Sequence, residues 1–319
     1  MSSVSTVASG FDLDKVVAGL REQRGRWRAS QNRPTELGWR ELPSRDVLAS
    51  IVQGLRGALF PMRLGPADLR QEAEDYYVGH TLDSVLQALV QQVKLELRHG
   101  SRQATPGGTA PVNGGELYQQ AVALVRNFAA GLVQIRALLD DDVLAAYRGD
   151  PAARSVDEIL LCYPGVVAIT HHRIAHQLYR LGVPLLARIV AELSHAQTGI
   201  DIHPGAQIGA GFFIDHGTGV VIGETAVIGQ RVRLYQAVTL GAKRFEAEAN
   251  GDLKKGLPRH PIVEDDVVIY AGATILGRVT IGRGATIGGN VWLTRSVSPG
   301  SHISQASTRD DTVVEGGGL

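Results

Sequence analysis

Residues 202–241 read IHPGAQIGAGFFIDHGTGVVIGETAVIGQRVRLYQAVTLG, and residues 262–293 read IVEDDVVIYAGATILGRVTIGRGATIGGNVWL. Aliphatic residues recur there at every sixth position: Ile202, Ile208 and Ile214, then Ile222, Ile228, Leu234 and Leu240. The count resumes at Val263, Ile269, Ile275, Ile281, Ile287 and Leu293. A small or β-branched residue often stands two places earlier, as at Ala226, Val232, Val238, Val267, Ala273, Val279, Ala285 and Val291. Period six fits neither a helix face nor an alternating strand. It fits a solenoid of short flat strands and tight turns, the hexapeptide β-helix. Three hexads make one triangular coil, and each aliphatic residue points inward to stack on its equivalent in the next coil. Glycine follows the aliphatic position at Gly209, Gly223, Gly229, Gly241, Gly282 and Gly288, where it is expected to supply turn conformations that a Cβ resists.

The repeat breaks twice, and both breaks carry polar residues. From Ile214 to Ile222 the step is eight, with the extra residues in Asp215-His216-Gly217-Thr218-Gly219. Between Leu240 and Val263 runs an excursion that ends in Pro258-Arg259-His260-Pro261. A solenoid takes insertions at its corners, where they leave as loops and often form the binding face. The chemistry is therefore sought at these two breaks.

Upstream of the repeat the pattern is helical. The chain has 319 residues, enough for about two domains at the usual ~150 each. The expected division is an all-α domain over 1–197, with the first ten residues disordered, then a left-handed parallel β-helix over 198–307 with the excursion at 242–260. A polar, glycine-rich tail over 308–319 completes it. Helices are expected over Phe11–Arg28 and Ser44–Leu59. A long one carries Leu82, Val85, Leu86, Leu89, Val90, Val93 and Leu97 on a single stripe, stopped by Gly100. Residues 101–115 read as an exposed loop. A further run covers Glu116–Tyr147, with Asp140-Asp141-Asp142 starting a new helix. Gly149-Asp150-Pro151-Ala152 reads as a turn whose proline opens the next helix. Short helices follow over Val156–Cys162, Val166–Leu181 and Pro184–Ser194.

Lysine plus arginine equals aspartate plus glutamate, 32 each, so no polyanion-binding surface is expected and nucleic acid is not a partner. The single cysteine, Cys162, excludes an intrachain disulfide and reads as a buried apolar thiol. No signal-peptide layout and no apolar run of ~20 residues are seen, so the expectation is a cytoplasmic protein without a membrane span. His171, His172 and His176 are either metal ligands or hydrogen-bonded helix histidines; no acidic or cysteine partner flanks them at ligand spacing.

Asp201 and His216 lie fifteen residues apart, close to one coil of eighteen, so the start of a coil and the loop at its end can meet. A carboxylate beside an imidazole fixes its tautomer and stabilises the imidazolium. His216 is thus either a general base or a histidine capping a turn. Arg259, beside His260, is either a bidentate clamp for a small carboxylate or a surface ion-pair residue.

The segments Asp201-Ile-His-Pro-Gly-Ala-Gln-Ile-Gly, Ile214-Asp-His-Gly-Thr-Gly, Val238-Thr-Leu-Gly, Arg259-His-Pro and Ile269-Tyr-Ala-Gly-Ala-Thr-Ile-Leu-Gly resemble serine O-acetyltransferase, a hexapeptide-repeat acyltransferase family. The likeness runs from about Asp150 to Ala306, and the long excursion matches a longer-loop subgroup. The resemblance implies His216 as general base, Asp201 as its orienting carboxylate, and Asp215, Arg259, His260 and Asp150 as contacts to serine. It places coenzyme A near Gly241, Ala242, Ala271 and Gly272, between neighbouring subunits of a trimer or dimer of trimers. It also implies acetyl-CoA as cosubstrate, no metal, and feedback inhibition by L-cysteine. Two departures stand out: the usual Gly-Val-Pro-Ala-Arg run after the solenoid is missing, and Leu319 replaces a terminal isoleucine. The implied docking of the tail into O-acetylserine sulfhydrylase is therefore expected to be weak. Rival readings are an acceptor other than serine, such as homoserine or a sugar; a γ-type carbonic anhydrase using His203, His216 and His260; and a purely structural solenoid.

Overall fold

The structure, a computed structural model, describes residues 11–31, 42–104, 113–244, 253–254 and 256–305. The first ten residues, segments 32–41 and 105–112, part of the excursion at 245–252 and 255, and the tail from 306 on lie outside the described residues.

Helices come first: α1 (Leu13–Ser30), α2 (Arg45–Leu59), α3 (Pro61–Leu64), α4 (Glu74–Ala104), α5 (Gly114–Ala130), α6 (Leu132–Gly149), α7 (Val156–Cys162), α8 (Pro164–Arg180) and α9 (Pro184–Thr198). The α4 stripe buries Val85, Leu89, Val90 and Val93 against α2 and α5, as the apolar spacing predicts.

Several boundaries differ from expectation. Gly100 does not stop α4, which runs on to Ala104. One glycine inside a helix costs only about 1 kcal/mol. The run after residue 114 is two helices, broken at Gly131, where a Cβ would lie 2.7 Å from Gln177 Nε2. Asp140-Asp141-Asp142 does not start a helix. It lies within α6, and the buried Asp142 binds Arg173 of α8 through both carboxylate oxygens, at 3.0 and 3.1 Å. Pro151 stays in the turn. The next helix opens at Val156, capped by the Ser155 hydroxyl, which accepts from the Glu158 N–H at 3.0 Å. Cys162 is exposed rather than buried, because it falls on the outward face of α7.

The stretch Gly114–Gly149, spanning α5 and α6, is long and apolar enough by composition to cross a bilayer, with a mean hydropathy of 1.4 over its best window. Arg126 and Arg136 interrupt it, so no uninterrupted apolar run of ~20 residues lies within it. Its inward residues Leu117, Ala121, Val125, Phe128, Leu132, Ile135 and Leu139 are buried in the fold, and the pair breaks at Gly131.

Among the described residues fourteen short strands follow, in three parallel sheets that form the faces of a triangular, left-handed β-helix. The first face holds β1 (Asp201–Ile202), β4 (Val221–Ile222), β7 (Thr239–Gly241), β10 (Thr274–Leu276) and β13 (Trp292–Leu293). The second holds β2 (Gln207–Ile208), β5 (Val227–Ile228), β8 (Ile262–Val263) and β11 (Thr280–Ile281). The third holds β3 (Phe213–Ile214), β6 (Arg233–Leu234), β9 (Val268–Ile269), β12 (Thr286–Ile287) and β14 (His302–Ile303). Ile222 registers with Leu240, eighteen residues on, while Asp201 registers with Val221, twenty on, so the Asp-His loop adds two residues to its coil. All thirteen repeat aliphatics are buried.

The glycines that follow those aliphatics do not act as expected. The positive-φ glycines are others. At Gly209 a Cβ would sit 2.5 Å from the Gly229 carbonyl oxygen of the next coil, and at Gly282 one would sit 2.4 Å from Pro299 N. Their role is close approach between coils rather than turn geometry.

One buried contact joins the helices to the first coil. Arg173 donates to the carbonyls of Ile208 and of Gly209, the latter at 2.6 Å, while the Phe212 N–H donates to Asp142 at 2.9 Å.

Candidate active site

The chain passes from first face to second to third and back, so the prism has three edges. The Asp-His loop lies between β3 and β4, on the edge joining third and first faces. The excursion lies between β7 and β8, on the edge joining first and second faces. Both breaks border the first face, but at opposite edges of it.

At the third-to-first edge the ordinary corner residue has positive φ in every coil: Gly219 at 80°, Ala237 at 58°, Gly272 at 72° and Asn290 at 56°. His216, at φ 60°, falls outside that column, within the inserted residues, and Gly217 follows at 94°. A side chain held in the left-handed region needs its surroundings to fix it there. The His216 side chain is 70% exposed, with Nδ1 3.8 Å from an Asp215 oxygen. Asp150 caps α6 beside it. One Asp150 oxygen accepts from the Ala152 N–H at 2.8 Å, and the other from the Tyr163 hydroxyl. The Tyr163 bond, then the Ala152 bond, hold the Asp150 carboxyl below the usual range, and the charges of His216 and Arg233 act in the same direction. Tyr163 is correspondingly pushed up to about 12, chiefly by its bond to Asp150, with Asp215 a minor contributor. Asp150, Tyr163, Asp215 and His216 thus form one cluster.

Asp201 makes no hydrogen bond to this cluster among the described residues. Its carboxylate lies within 4.8 Å of the side-chain groups of Glu192 and His195 on α9.

The first-to-second edge holds the other cluster. The Thr225 hydroxyl accepts from the backbone N–H of Arg259 at 2.9 Å and of His260 at 3.1 Å, which fastens the returning excursion to the coil before it. The Thr225 backbone N–H donates to His260 Nδ1 at 3.1 Å. A backbone N–H only donates, so Nδ1 accepts and the neutral ring carries its proton on Nε2. Burial, then the adjacent Arg259, pull His260 down to about 4, which keeps it neutral near pH 7. Arg259 donates to Glu224 at 2.7 Å. Burial works to raise the Glu224 carboxyl, but the bonds from Arg259 and Tyr179 outweigh it and leave it below the usual range. His203 accepts from the Gly205 N–H at 3.0 Å and is held at about 4, by burial first and then by Arg188.

The expected coenzyme residues divide the same way. Gly241 and Ala242 are at the first-to-second edge, Ala271 and Gly272 at the third-to-first edge. Of the helix histidines, His171 and His176 donate from Nδ1 to the carbonyls of Val167 and Pro204, each at 2.8 Å, and His172 is buried.

Residues 260–295 match the family described as bacterial transferase hexapeptide (six repeats). A plasmid serine acetyltransferase of Synechococcus elongatus is 61% identical over 280 residues, covering 87% of this chain and 86% of that one. The chain belongs to the serine acetyltransferase family. Among solved structures, serine acetyltransferase 1 of Entamoeba histolytica in complex with L-cysteine superposes with a TM-score of 0.64 at 38% identity, over 79% of this chain and 85% of that one. The Neisseria gonorrhoeae serine acetyltransferase in complex with serine superposes at 0.51 with 29% identity, over 81% and 95%.

In this serine acetyltransferase fold, sequence reasoning missed Tyr163, Glu224 and Thr225. Each acts through a partner 13 to 35 residues away, and none sits at a break in the repeat. The signal for the two-edge arrangement was present. Ile214 ends the third hexad of a coil, and Leu240 ends the first hexad of another.

Proposed function

We propose that this chain transfers the acetyl group of acetyl-CoA to the hydroxyl of L-serine, giving O-acetyl-L-serine and CoA. The observation that carries this reading is the pair of clusters bordering one face, carboxylates with an exposed imidazole at one edge and guanidinium with a neutral imidazole at the other. Serine needs both: Asp150 and Asp215 suit its ammonium, and Arg259 with the His260 Nε2–H suits its carboxylate.

His216 accepts the proton of the serine hydroxyl as that oxygen attacks the acetyl carbonyl carbon. The tetrahedral intermediate collapses with cleavage of the carbon–sulfur bond, and the imidazolium returns the proton to the departing thiolate. The thioester is already activated, so no covalent enzyme intermediate is needed. General base catalysis contributes typically ~10²–10⁴-fold, and alignment of two bound substrates much of the rest. Asp201 is the candidate to orient His216. No metal enters, and the charges of Arg188, Arg259 and Arg278 around His203 and His260 oppose a cation there.

Since the two clusters stand at opposite edges of one chain, the complete site forms between two copies, the third-to-first edge of one against the first-to-second edge of the next. The same docking brings Ala271 and Gly272 of one copy to Gly241 and Ala242 of its neighbour, forming one groove for coenzyme A. A ring closed by this head-to-tail contact is a trimer, alone or paired into a dimer of trimers. In this reading residues 1–197 supply one wall of the serine site through Asp150 and Tyr163, and residues 198–307 carry the chemistry. L-cysteine presents the same ammonium and carboxylate, so it competes for the site. The setting is cytoplasmic, and the tail from Thr308 to Leu319 binds O-acetylserine sulfhydrylase only weakly.

The test is thiol release from acetyl-CoA with L-serine, L-homoserine and a hexose as acceptors. Serine-dependent release is expected, at least tenfold above the others. Release with homoserine or sugar but not serine would reassign the acceptor.

A further inference from the structure

Beyond the loop that holds His216, the third-to-first edge carries an unusual column. The strand registers place Asp215, Tyr235, Tyr270 and Gly288 directly over one another in successive coils. The rings of Tyr235 and Tyr270 are stacked, 5.0 Å between centroids and 10° from parallel. Tyr235 is fixed from the far side. Arg233 donates to its hydroxyl at 3.3 Å and lies 5.7 Å from its ring centroid. Tyr270 is 43% exposed, and the next position in the column, Gly288, has no side chain to cover its outer face. The Gln236 carbonyl accepts from the Gly272 N–H at 3.0 Å, which puts it against the Ala271-Gly272 backbone.

A fixed, exposed aromatic face with one side open is what a nucleobase stacks on. From Asp215 to the level of Gly288 is three coil steps, about 14 Å at ~4.8 Å per step. A pantetheine arm and diphosphate span that separation. Building on the proposed acetyl-CoA:serine reaction, we infer that the Tyr235–Tyr270 stack is the platform for the adenine of acetyl-CoA, which lies on the open face of Tyr270 above Gly288. The pantetheine arm passes Ala271 and Gly272 on the way. The competing account is that the two rings merely stack coil on coil to stabilise the solenoid.

The two accounts separate when the donor is changed. Acetyl-CoA and S-acetylpantetheine, which lacks the adenine nucleotide, are compared in the unsubstituted enzyme and in Tyr270→Phe and Tyr270→Ala. Tyr270→Ala is expected to raise KM for acetyl-CoA about tenfold or more, with KM for serine unchanged. Tyr270→Phe keeps the stacking face and the unsubstituted KM. With S-acetylpantetheine, Tyr270→Ala and the unsubstituted enzyme behave alike. Should Tyr270→Ala fail to fold, Tyr270→Leu is read in the same way. Loss by the same factor with both donors, no loss with either, or equal KM for the two donors in the unsubstituted enzyme overturns the inference. Absence of serine-dependent release with either donor in the unsubstituted enzyme is a different result and sinks the underlying reaction instead.

Discussion

His216 takes a left-handed backbone conformation inside an insertion, with its ring in solvent, and the residues that tune its surroundings come from α6 and the start of α8. Tyr163 is the sharpest case. Its hydroxyl holds one Asp150 oxygen while the Ala152 N–H holds the other, so the carboxylate is anionic and fixed in direction. Tyr163→Phe removes one of these bonds and leaves the ring. It is expected to raise KM for serine severalfold while KM for acetyl-CoA stays put; equal changes in both would remove Tyr163 from the serine site. His216 was legible in the sequence because it interrupts a strict period. Tyr163 was not, since a tyrosine at a helix junction carries no periodic signal and its partner lies 13 positions away. The buried histidines make a second residue-level claim. Burial lowers His171, His172 and His176, and holds His203 and His260 at about 4, against an unfolded value near 6.5. Between those values the unfolded chain binds more protons, so stability is fully present above about pH 6.5 and is lost as pH falls toward 4. Melting temperatures are expected to drop steeply across that window; a flat profile from pH 7 to 4.5 would contradict it.

Elements were legible where one face repeats and illegible where a boundary depends on a partner. Each of the thirteen aliphatics spaced by six points inward, because an inward position is the same environment in every coil. Helix ends were a different matter. Gly100 lies inside α4, Gly131 breaks the next run, and Asp142 sits mid-helix because Arg173 pairs with it. No local pattern announces a partner 31 residues away. That ion pair is nearly closed to solvent, with side-chain exposures of 5% and 0%, and it joins α6 and α8 to the carbonyls of the first coil. Removing one partner of a buried pair costs roughly 3–5 kcal/mol, mostly from the charge left behind. Asp142→Ala should therefore lower the urea-unfolding free energy by that order, and a change under about 1 kcal/mol would mean the pair acts as a surface bridge does.

At the scale of the whole molecule the two breaks occupy different edges of one prism, and no single chain brings His216 to Arg259 and His260. In the proposed reading a site that uses both is shared between copies. The central claim is therefore one of assembly, and mixing two defective chains tests it most directly. His216→Ala lacks the base and Arg259→Ala lacks the carboxylate clamp; each alone is expected to lose about 10²-fold or more in kcat/KM. Co-expressed with different tags and purified through both, the mixed oligomer contains interfaces that pair an intact His216 with an intact Arg259. The account predicts serine-dependent acetyl transfer at a sizeable fraction of the unsubstituted rate, far above either variant. A mixed oligomer no more active than its parents would place the whole site within one chain and contradict the account.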